Sequence, residues 1–404
     1  MNLTNKKDII IIGGGMVGLS LASALSKANF SVAVIESREP TLQWEASDYD
    51  ARVSAINLAS CRFLKYLNIW QKLNKSSMSS IDKMIVWDQQ GGGEIQFDAA
   101  EIQQDKLGYI VENREIIRAL WEQLSADPNV ELLCPEKVAN VTVNQKNVYL
   151  EYGENKKIHA NLIVGADGGN SWVRKQIGID LKQQPYHHNA IVAVIKTTQP
   201  HGQTALQPFL KTGPLGVLPL AESDHVSIVW SANVLRSEEL MSMSLMDFNR
   251  ALTNALDYRL GQVHCLSERK SIPLVMRHAK QYVTDRVALV GDAAHTIHPL
   301  AGQGANLGFM DAACLAQTVV DAKEKLQDIG SLRVLRRYER WRKGDNTMML
   351  LAMRSFKECF TETLPLLVTL RTFALNAANR LSLLKKCFIK VAMNDSDDLP
   401  ESAK

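Results

Sequence analysis

The sequence predicts a mixed α/β chain, α+β overall, on three observations. A β-branched run from Asp8 to Ile12 meets a glycine turn, a helical run at about 16–28 and a second apolar strand, Ser31 to Glu36, that ends in an acid; this is a βαβ opening. Between about 181 and 280 the texture changes to strand-like stretches such as AIVAVIKT and HVSIVWSA, separated by Pro and Gly turns, the pattern of an antiparallel sheet. Beyond 331 the spacing is wholly helical.

After Asp50, helical spacing covers roughly 55–73, and IDKMIVWD at 81–88 reads as a strand leaving the first unit through the glycine turn at 91–93. A helix over 113–125, strand-like residues at 141–152 and an apolar strand at 161–168 resume that unit. One helical segment, 244–256, interrupts the antiparallel region, and RVALVGDAAH at 286–295 is a strand running into a Gly-rich turn and a helix from about 304 to 324. The expected organisation is a discontinuous first domain over 1–75, 105–180 and 281–330, with a second domain over 76–104 and 181–280 inserted in it. A helical region over 331–393 follows, and the polar, acidic stretch 394–404 is expected to be a disordered tail.

A chain of 404 residues exceeds the usual single-domain size, so more than one domain and a sizeable core are expected. A net charge of +3 with 22% charged residues describes a near-balanced protein and excludes the large positive field of a nucleic-acid binder. The cysteines Cys61, Cys134, Cys265, Cys314, Cys359 and Cys387 are scattered singly, which argues for a reducing, cytoplasmic compartment and against a metal site. Lys6 and Lys7 precede eighteen uncharged residues, Ile9 to Ser26, that imitate a signal peptide. Gly13, Gly14, Gly15 and Gly18 interrupt the run and make it a strand, a turn and a helix instead.

The first chemical motif is that turn, Gly13-x-Gly15-x-x-Gly18, with Glu36 about twenty residues on. Gly13 permits the tight turn, Gly15 lets the backbone approach a pyrophosphate, and Gly18 lets helix and strand pack closely. The helix N-terminus supplies N–H donors and positive dipole to phosphate oxygens. Glu36 can accept both hydroxyls of an adenosine ribose and disfavours a 2′-phosphate, so the first domain is Rossmann-like and its ligand FAD or NAD rather than NADP. The second motif, VALVGDAAHTIHPLAGQGANLG at 287–308, separates the two. Asp292 at a strand end can hold ribityl hydroxyls. Gly302, Gln303, Gly304, Ala305 and Asn306 would present backbone N–H groups to a flavin pyrimidine edge, where negative charge develops on reduction.

With GGGMVG near the start, GADGGNSWVR at 165–174 and GDAAHTIHPLAGQGANLG in the last third, the chain resembles the para-hydroxybenzoate hydroxylase-type flavin monooxygenases, and among them the ubiquinone-biosynthesis hydroxylases. The resemblance spans about residues 8–320. It implies that Asp167 and Gly168 lie near the FAD pyrophosphate, with Arg174 as a supporting cation. Arg52, in DARVSAINLAS, matches an arginine that contacts the cofactor, and Asn113 a polar residue near the ribityl chain or, equally, a helix cap. FDAAE at 97–101, LGYIVEN at 107–113, ALWEQL at 119–124 and RHAKQYV at 277–283 resemble the branch that installs the last ring hydroxyl of ubiquinone.

The family's chemistry is the flavin's. NAD(P)H or another donor reduces FAD, O2 adds at C4a, and the hydroperoxide delivers one oxygen to an electron-rich ring, which the protein must keep dry. His298 and Pro299 match positions at the reactive flavin face; His295 reads as a packing or hydrogen-bonding residue, and His187, His188 and Cys314 as structural. The implied substrate is a polyprenylated quinol. Phe209, Leu218, Trp230 and Met276 are candidates to line its apolar tunnel, with core packing as the plainer role. A biosynthetic multiprotein complex, a homo-oligomer and peripheral contact with the inner membrane are the partners the resemblance admits. The stretch Thr361 to Val391 is apolar with interspersed Arg and Lys and fits a helix docked on its own core, or one lying on a membrane surface. Arg333, Arg336, Arg337, Arg340, Arg342 and Lys343 read as a solvated helix face. Rival readings are a prenyl reductase or halogenase on the same fold, a flavin-binding scaffold and a simple NAD dehydrogenase. The missing WxWxIP-type motif argues against a halogenase, the intact loop 299–308 against a scaffold, and the Gly291-Asp292 segment against a dehydrogenase.

Overall fold

The computed structural model describes residues 6–45, 48, 50, 52–296, 304–361 and 398–404, and singly 369, 372, 373, 376, 377, 379 and 385. Its first sheet grows from the strand Lys6–Ile12, whose residues Ile9 to Ile12 are buried. A strand covered on both faces needs this unbroken β-branched run, and the helices of the crossovers between parallel strands supply the cover. Lys6–Ile12 pairs in parallel with Val32–Ile35 on one side and with Lys156–Gly165 on the other. Val130–Leu133 and Val287–Leu289 extend the parallel core outward. The segment at 141–152 is not one strand but the hairpin Val138–Val143 and Val148–Tyr152, added antiparallel to Lys156–Gly165.

The second sheet has nine strands and is built on the long strand Leu181–Thr197, flanked by His225–Asn233 and Lys270–Ala279. It is antiparallel except where Thr204–Leu210 runs parallel to Lys83–Asp88, which with Glu94–Asp98 forms the outer edge. That edge is covered: the amide N–H groups of Glu94 and Gln96 donate to the side-chain oxygens of Asn376 and Asn379, which blocks pairing with another chain. On one face lie two helices, Val234–Ser242 and Leu245–Ala255, where a single helix is expected from the spacing. Trp230 and Phe248 meet in the core between.

The expected helix over 55–73 divides into the strand Val53–Asn57 and the shorter helix Leu58–Tyr66. Asn57 ends the strand and caps the helix through Ser60 N–H, while Val53–Asn57 joins Gly108–Glu112 and Met78–Ile81 in a three-stranded sheet. The C-terminal residues depart from the disordered tail expected of them. Asp398–Lys404 carry a short 3-10 turn, Glu401–Ala403, with Leu399 and Ala403 buried. Arg62 Nε donates to Ala403 O and Trp341 Nε1 to Asp398 O, so two apolar anchors and two hydrogen bonds hold a stretch whose composition is polar. Among the described residues no helix is long and apolar enough to cross a membrane.

Candidate functional site

The strand Lys6–Ile12 must reverse into the helix Met16–Lys27 within three residues. Gly13 makes the reversal at φ +113°, where a Cβ would stand 2.3 Å from Ala166 O, and a Cβ on Gly18 would stand 2.1 Å from Gly13 O. Both glycines are demanded by the chain itself. Gly15 is not: its φ is −77° and a Cβ there would meet nothing within 4 Å. It caps a helix whose first N–H groups receive no side-chain acceptor, the arrangement that a phosphate oxygen completes. Beside it, Gly14 N–H donates to Glu36 Oε2 at 2.7 Å, and Ser37 Oγ and Arg38 N–H donate to Oε1 at 3.1 and 3.0 Å, which fixes the carboxylate against the glycine turn.

A second loop lies against the first, since Ala166 O and Asp167 N are the atoms closest to Gly13. Asp167 Oδ2 accepts from Trp172 and Val173 N–H at 2.6 and 3.0 Å, capping the helix Trp172–Gln176. Its Oδ1 is buried with no protein partner. A buried acceptor left unpaired costs about 1–3 kcal/mol, so this oxygen faces a place for a donor from outside the chain. Gly168, at φ +78°, also opens onto free space. Arg174 proves to be a strap rather than a cation offered to phosphate: it is buried, and Nη1 donates to Ala293 O and Nη2 to Gly169 O, at 2.7 and 2.9 Å. Burial lowers its pKa, with Asp167 opposing.

The third loop leaves the strand Val287–Leu289 through the 3-10 turn Gly291–Ala293. Asp292 is exposed yet ringed by protein; desolvation pushes its carboxyl up, while His295 and Arg277 pull it down. Arg277 comes from the second sheet, in register with Thr296, and both would touch a Cβ placed on Gly169. The helix Gly304–Glu324 then packs on Met16–Lys27 so closely that a Cβ on Gly308 would stand 2.6 Å from Val17 Cγ2. Gly304 itself opens onto free space. The Asn306 side chain is engaged inside the fold: Nδ2 donates to Ala55 O at 2.7 Å and Oδ1 accepts from Asn57 N–H at 3.0 Å. It pairs with that strand as a neighbouring backbone would, leaving only the main chain of 304–306 for a ligand.

The same strand brings in two further residues. Arg52 is exposed, with Nε 3.7 Å from Asp50 Oδ1, and its carbonyl accepts from Asn113 N–H at 3.0 Å. Asn113 Oδ1 accepts from Ser54 Oγ at 2.7 Å, and the cap position of its helix belongs to Glu112, so Asn113 is not a capping residue. The structure thus gathers Gly13, Gly15, Gly18, Asp167, Gly168 and Asp292 around abutting loops, with Glu36 on the glycine turn and Arg52, Asn113 and Asn306 on Val53–Asn57. His298, Pro299 and Gly302 lie outside the described residues.

Beneath the third loop is a buried cluster that sequence reasoning missed. Asp311 Oδ2 accepts from Gly291 N–H at 3.0 Å and lies 2.5 Å from His295 Nε2; Oδ1 accepts from Arg342 Nε at 2.9 Å and Asn346 Nδ2 at 3.2 Å. Burial would raise this carboxyl, but the His295 and Arg342 partners outweigh it and hold it at about 2. Asn346 continues to Tyr282 Oη, and Tyr282 to His278 Nε2. Arg342, expected on a solvated face, is buried because its counter-charge sits on another helix. A lone acid inside the apolar run GFMDAACLAQ was the available signal. The four residues offered for a tunnel fall into four separate clusters, so they share no wall. Of these, Met276 packs with Leu307, beside the third loop, and with Tyr186 and Leu350.

Residues 6–345 match the family model described as FAD binding domain. The chain is 37% identical over 392 residues to the 3-demethoxyubiquinol 3-hydroxylase of Escherichia coli (strain K12), covering 97% of this chain and all of that one. It is 34% identical to the ubiquinone hydroxylase UbiL of Rhodospirillum rubrum, over 96% of this chain and 89% of the relative. In fold it is similar to the crystal structure of p-nitrophenol 4-monooxygenase PnpA from Pseudomonas putida DLL-E4, with a TM-score of 0.78 at 20% identity, covering 97% of this chain and 99% of that one. The chain belongs to the FAD-binding-domain family of monooxygenases that includes the ubiquinone-biosynthesis hydroxylases.

Proposed function

We propose that this chain hydroxylates the aromatic ring of a polyprenylated quinol in ubiquinone biosynthesis, at the last ring position to receive a hydroxyl. The observation that carries the reading is the pairing of an open glycine cradle with a full-length relative named for that reaction. The residues fit FAD. Gly15 leaves room over an uncapped helix N-terminus, Asp167 Oδ1 lacks a partner inside the chain, and Glu36 is held by Gly14 where a ribose would meet it. Gly13, Gly15 and Gly18 with the helix Met16–Lys27 would hold the pyrophosphate, Glu36 the adenosine ribose, and Asp292 the ribityl chain, with Asp167, Gly168, Arg52 and Asn113 alongside. The main chain at Gly302, Gly304, Ala305 and Asn306 would flank the pyrimidine edge, and His298 and Pro299 the reactive face.

Bound FAD supplies the reduction of O2, with NAD(P)H or another donor as reductant, and the delivery of one oxygen atom to the ring. The chain's own work is positioning and dryness. Asp311 sets the third loop through Gly291 N–H and His295, and Tyr186, Met276, Leu307 and Leu350 form an apolar cluster next to residues 304–306 that keeps water from the reacting ring. A quinol is activated by its own hydroxyls, so the reaction needs little from a protein base. UbiL, at 34% identity, favours a second reading, the same chemistry at another ring position. The test is turnover of a short-chain demethoxylated quinol by the purified flavoprotein under isotopically labelled O2. The reading requires one labelled oxygen in the product; reduction of O2 without ring product would exclude it.

A further inference from the structure

The N-terminal part of the helix Leu332–Thr361 carries a cluster that the flavin site does not use. Leu332, Arg333, Arg336, Arg337 and Arg340 line a groove of about 490 Å³. Positions 333, 336, 337 and 340 share one helix face, and because Val334, Leu335 and Tyr338 are buried against the core, that face turns outward. The nearby acids are engaged elsewhere. Glu339 accepts from Tyr282 N–H at 2.8 Å, Asp328 is held by Arg286, and Asp285 accepts from Leu332 N–H at 3.2 Å. Arg337 Nη2 donates to the neutral Gln327 Oε1 at 2.9 Å. Among the described residues none of the four arginines forms an ion pair. Four guanidinium groups gathered on one face with no carboxylate in direct contact repel one another, and a multidentate oxyanion relieves that repulsion.

A second observation decides which oxyanion. In the turn before this helix Leu326 is 96% exposed, and it holds φ +52°, a left-handed conformation that a leucine adopts only at a steric cost. Its neighbour Gln327 is the residue that accepts from Arg337, so the turn that exposes the leucine touches the basic groove. A soluble anion or an acidic peptide would use the arginines and give Leu326 nothing to bury. A bilayer interface offers both levels at once, phosphate for the arginines and acyl chain for the leucine.

We propose that this face docks on anionic phospholipid, with the arginines taking headgroup phosphates and Leu326 entering the acyl boundary. This face lies apart from the flavin loops, so its docking does not depend on which ring position is hydroxylated. The same helix carries Arg342, which is bound to Asp311, and one continuous element therefore joins the docking face to the flavin loop.

The test is co-sedimentation of the full-length flavin-loaded protein with vesicles of phosphatidylcholine alone or mixed with phosphatidylglycerol. The protein should bind the mixed vesicles, release them at high salt and ignore the neutral ones. At roughly fivefold per arginine, the triple variant Arg333→Gln, Arg336→Gln, Arg340→Gln should bind about a hundredfold more weakly. Leu326→Asn should weaken binding with every charge in place, and unchanged flavin absorbance and thermal midpoint show that the variants are folded. Equal binding to neutral vesicles, or undiminished binding by the triple variant, overturns the proposal. So does calorimetric binding of inorganic phosphate or of poly-glutamate by the wild type, lost in the triple variant, with no vesicle binding; the groove would then serve a soluble anion or an acidic protein.

Discussion

Asp311 Oδ2 lies 2.5 Å from His295 Nε2, both residues almost wholly buried, and the same carboxylate binds Arg342 from a third segment of the chain. The loop predicted to meet the flavin is therefore held from below by a charge cluster that never touches solvent. Removing one member of such a cluster leaves the others buried without compensation, which costs about 3–5 kcal/mol. Asp311→Asn keeps the shape and loses the charge. Urea unfolding should show a loss of about 3 kcal/mol, and FAD should be released at lower denaturant than the global transition. A variant as stable as the wild type would show that the cluster is incidental.

The acid limb of stability has a definite sign. Asp311 is held at about 2, below its ordinary 3.8, so it contributes stability at pH above 3.8 and loses it as pH falls from there toward 2. His278 is a base whose folded pKa is depressed to about 4, by burial first and then by His295, Lys343 and Lys182. The unfolded chain therefore takes up more protons between pH 6.5 and 4, and stability declines across that window. His278→Gln should flatten the decline between 6.5 and 4 and leave the loss below it, which chemical unfolding across pH would resolve. An unchanged slope would assign the decline to other groups.

Two glycines of one turn should behave oppositely. Gly13→Ala drives a Cβ to within 2.3 Å of Ala166 O at a positive φ, whereas Gly15→Ala places it in open space. The first should yield insoluble or unfolded protein. The second should fold with an unaltered thermal midpoint but bind FAD at least about tenfold more weakly, or about 1.4 kcal/mol, as read by flavin fluorescence titration. Equal flavin affinity in Gly15→Ala would remove the pyrophosphate from this helix.

Asp292→Ala removes an exposed acid that forms no ion pair among the described residues. The fold should persist and the flavin should wash out during purification, which the absorbance ratio of flavin to protein measures directly. Full flavin retention would sink the ribityl assignment.

How much of this was legible depends on where each residue's partners lie. The helices 113–125 and 304–324 were readable to the residue because spacing and flanking turns are local. The stretch 55–73 misled at its start because residues 55–57 belong to the strand Val53–Asn57, whose partner, Gly108–Glu112, lies more than fifty residues away, a contact that no local periodicity reveals. The helix Val234–Ser242 was missed because it is short and follows a strand directly, with Asn233 capping it from the strand's own last position. The glycine turn, Glu36 and Asp292 carry local signatures in the sequence, whereas Asp167 is reached through the family resemblance. Arg342 was misread as solvated because its counter-charge, Asp311, sits thirty-one positions earlier on another helix. Asn306 was read for its backbone, while its side chain turned out to pair with Ala55 and Asn57.

Hydroxylation at the last ring position is read from the quinone lipids of a bacterial strain deleted for its own last ring hydroxylase, with and without this gene, measured by mass spectrometry. The deletion should accumulate the methylated, demethoxylated precursor lacking only the final ring hydroxyl, and this gene should restore ubiquinone. Persistence of that precursor, with the protein present and loaded with flavin, would contradict it.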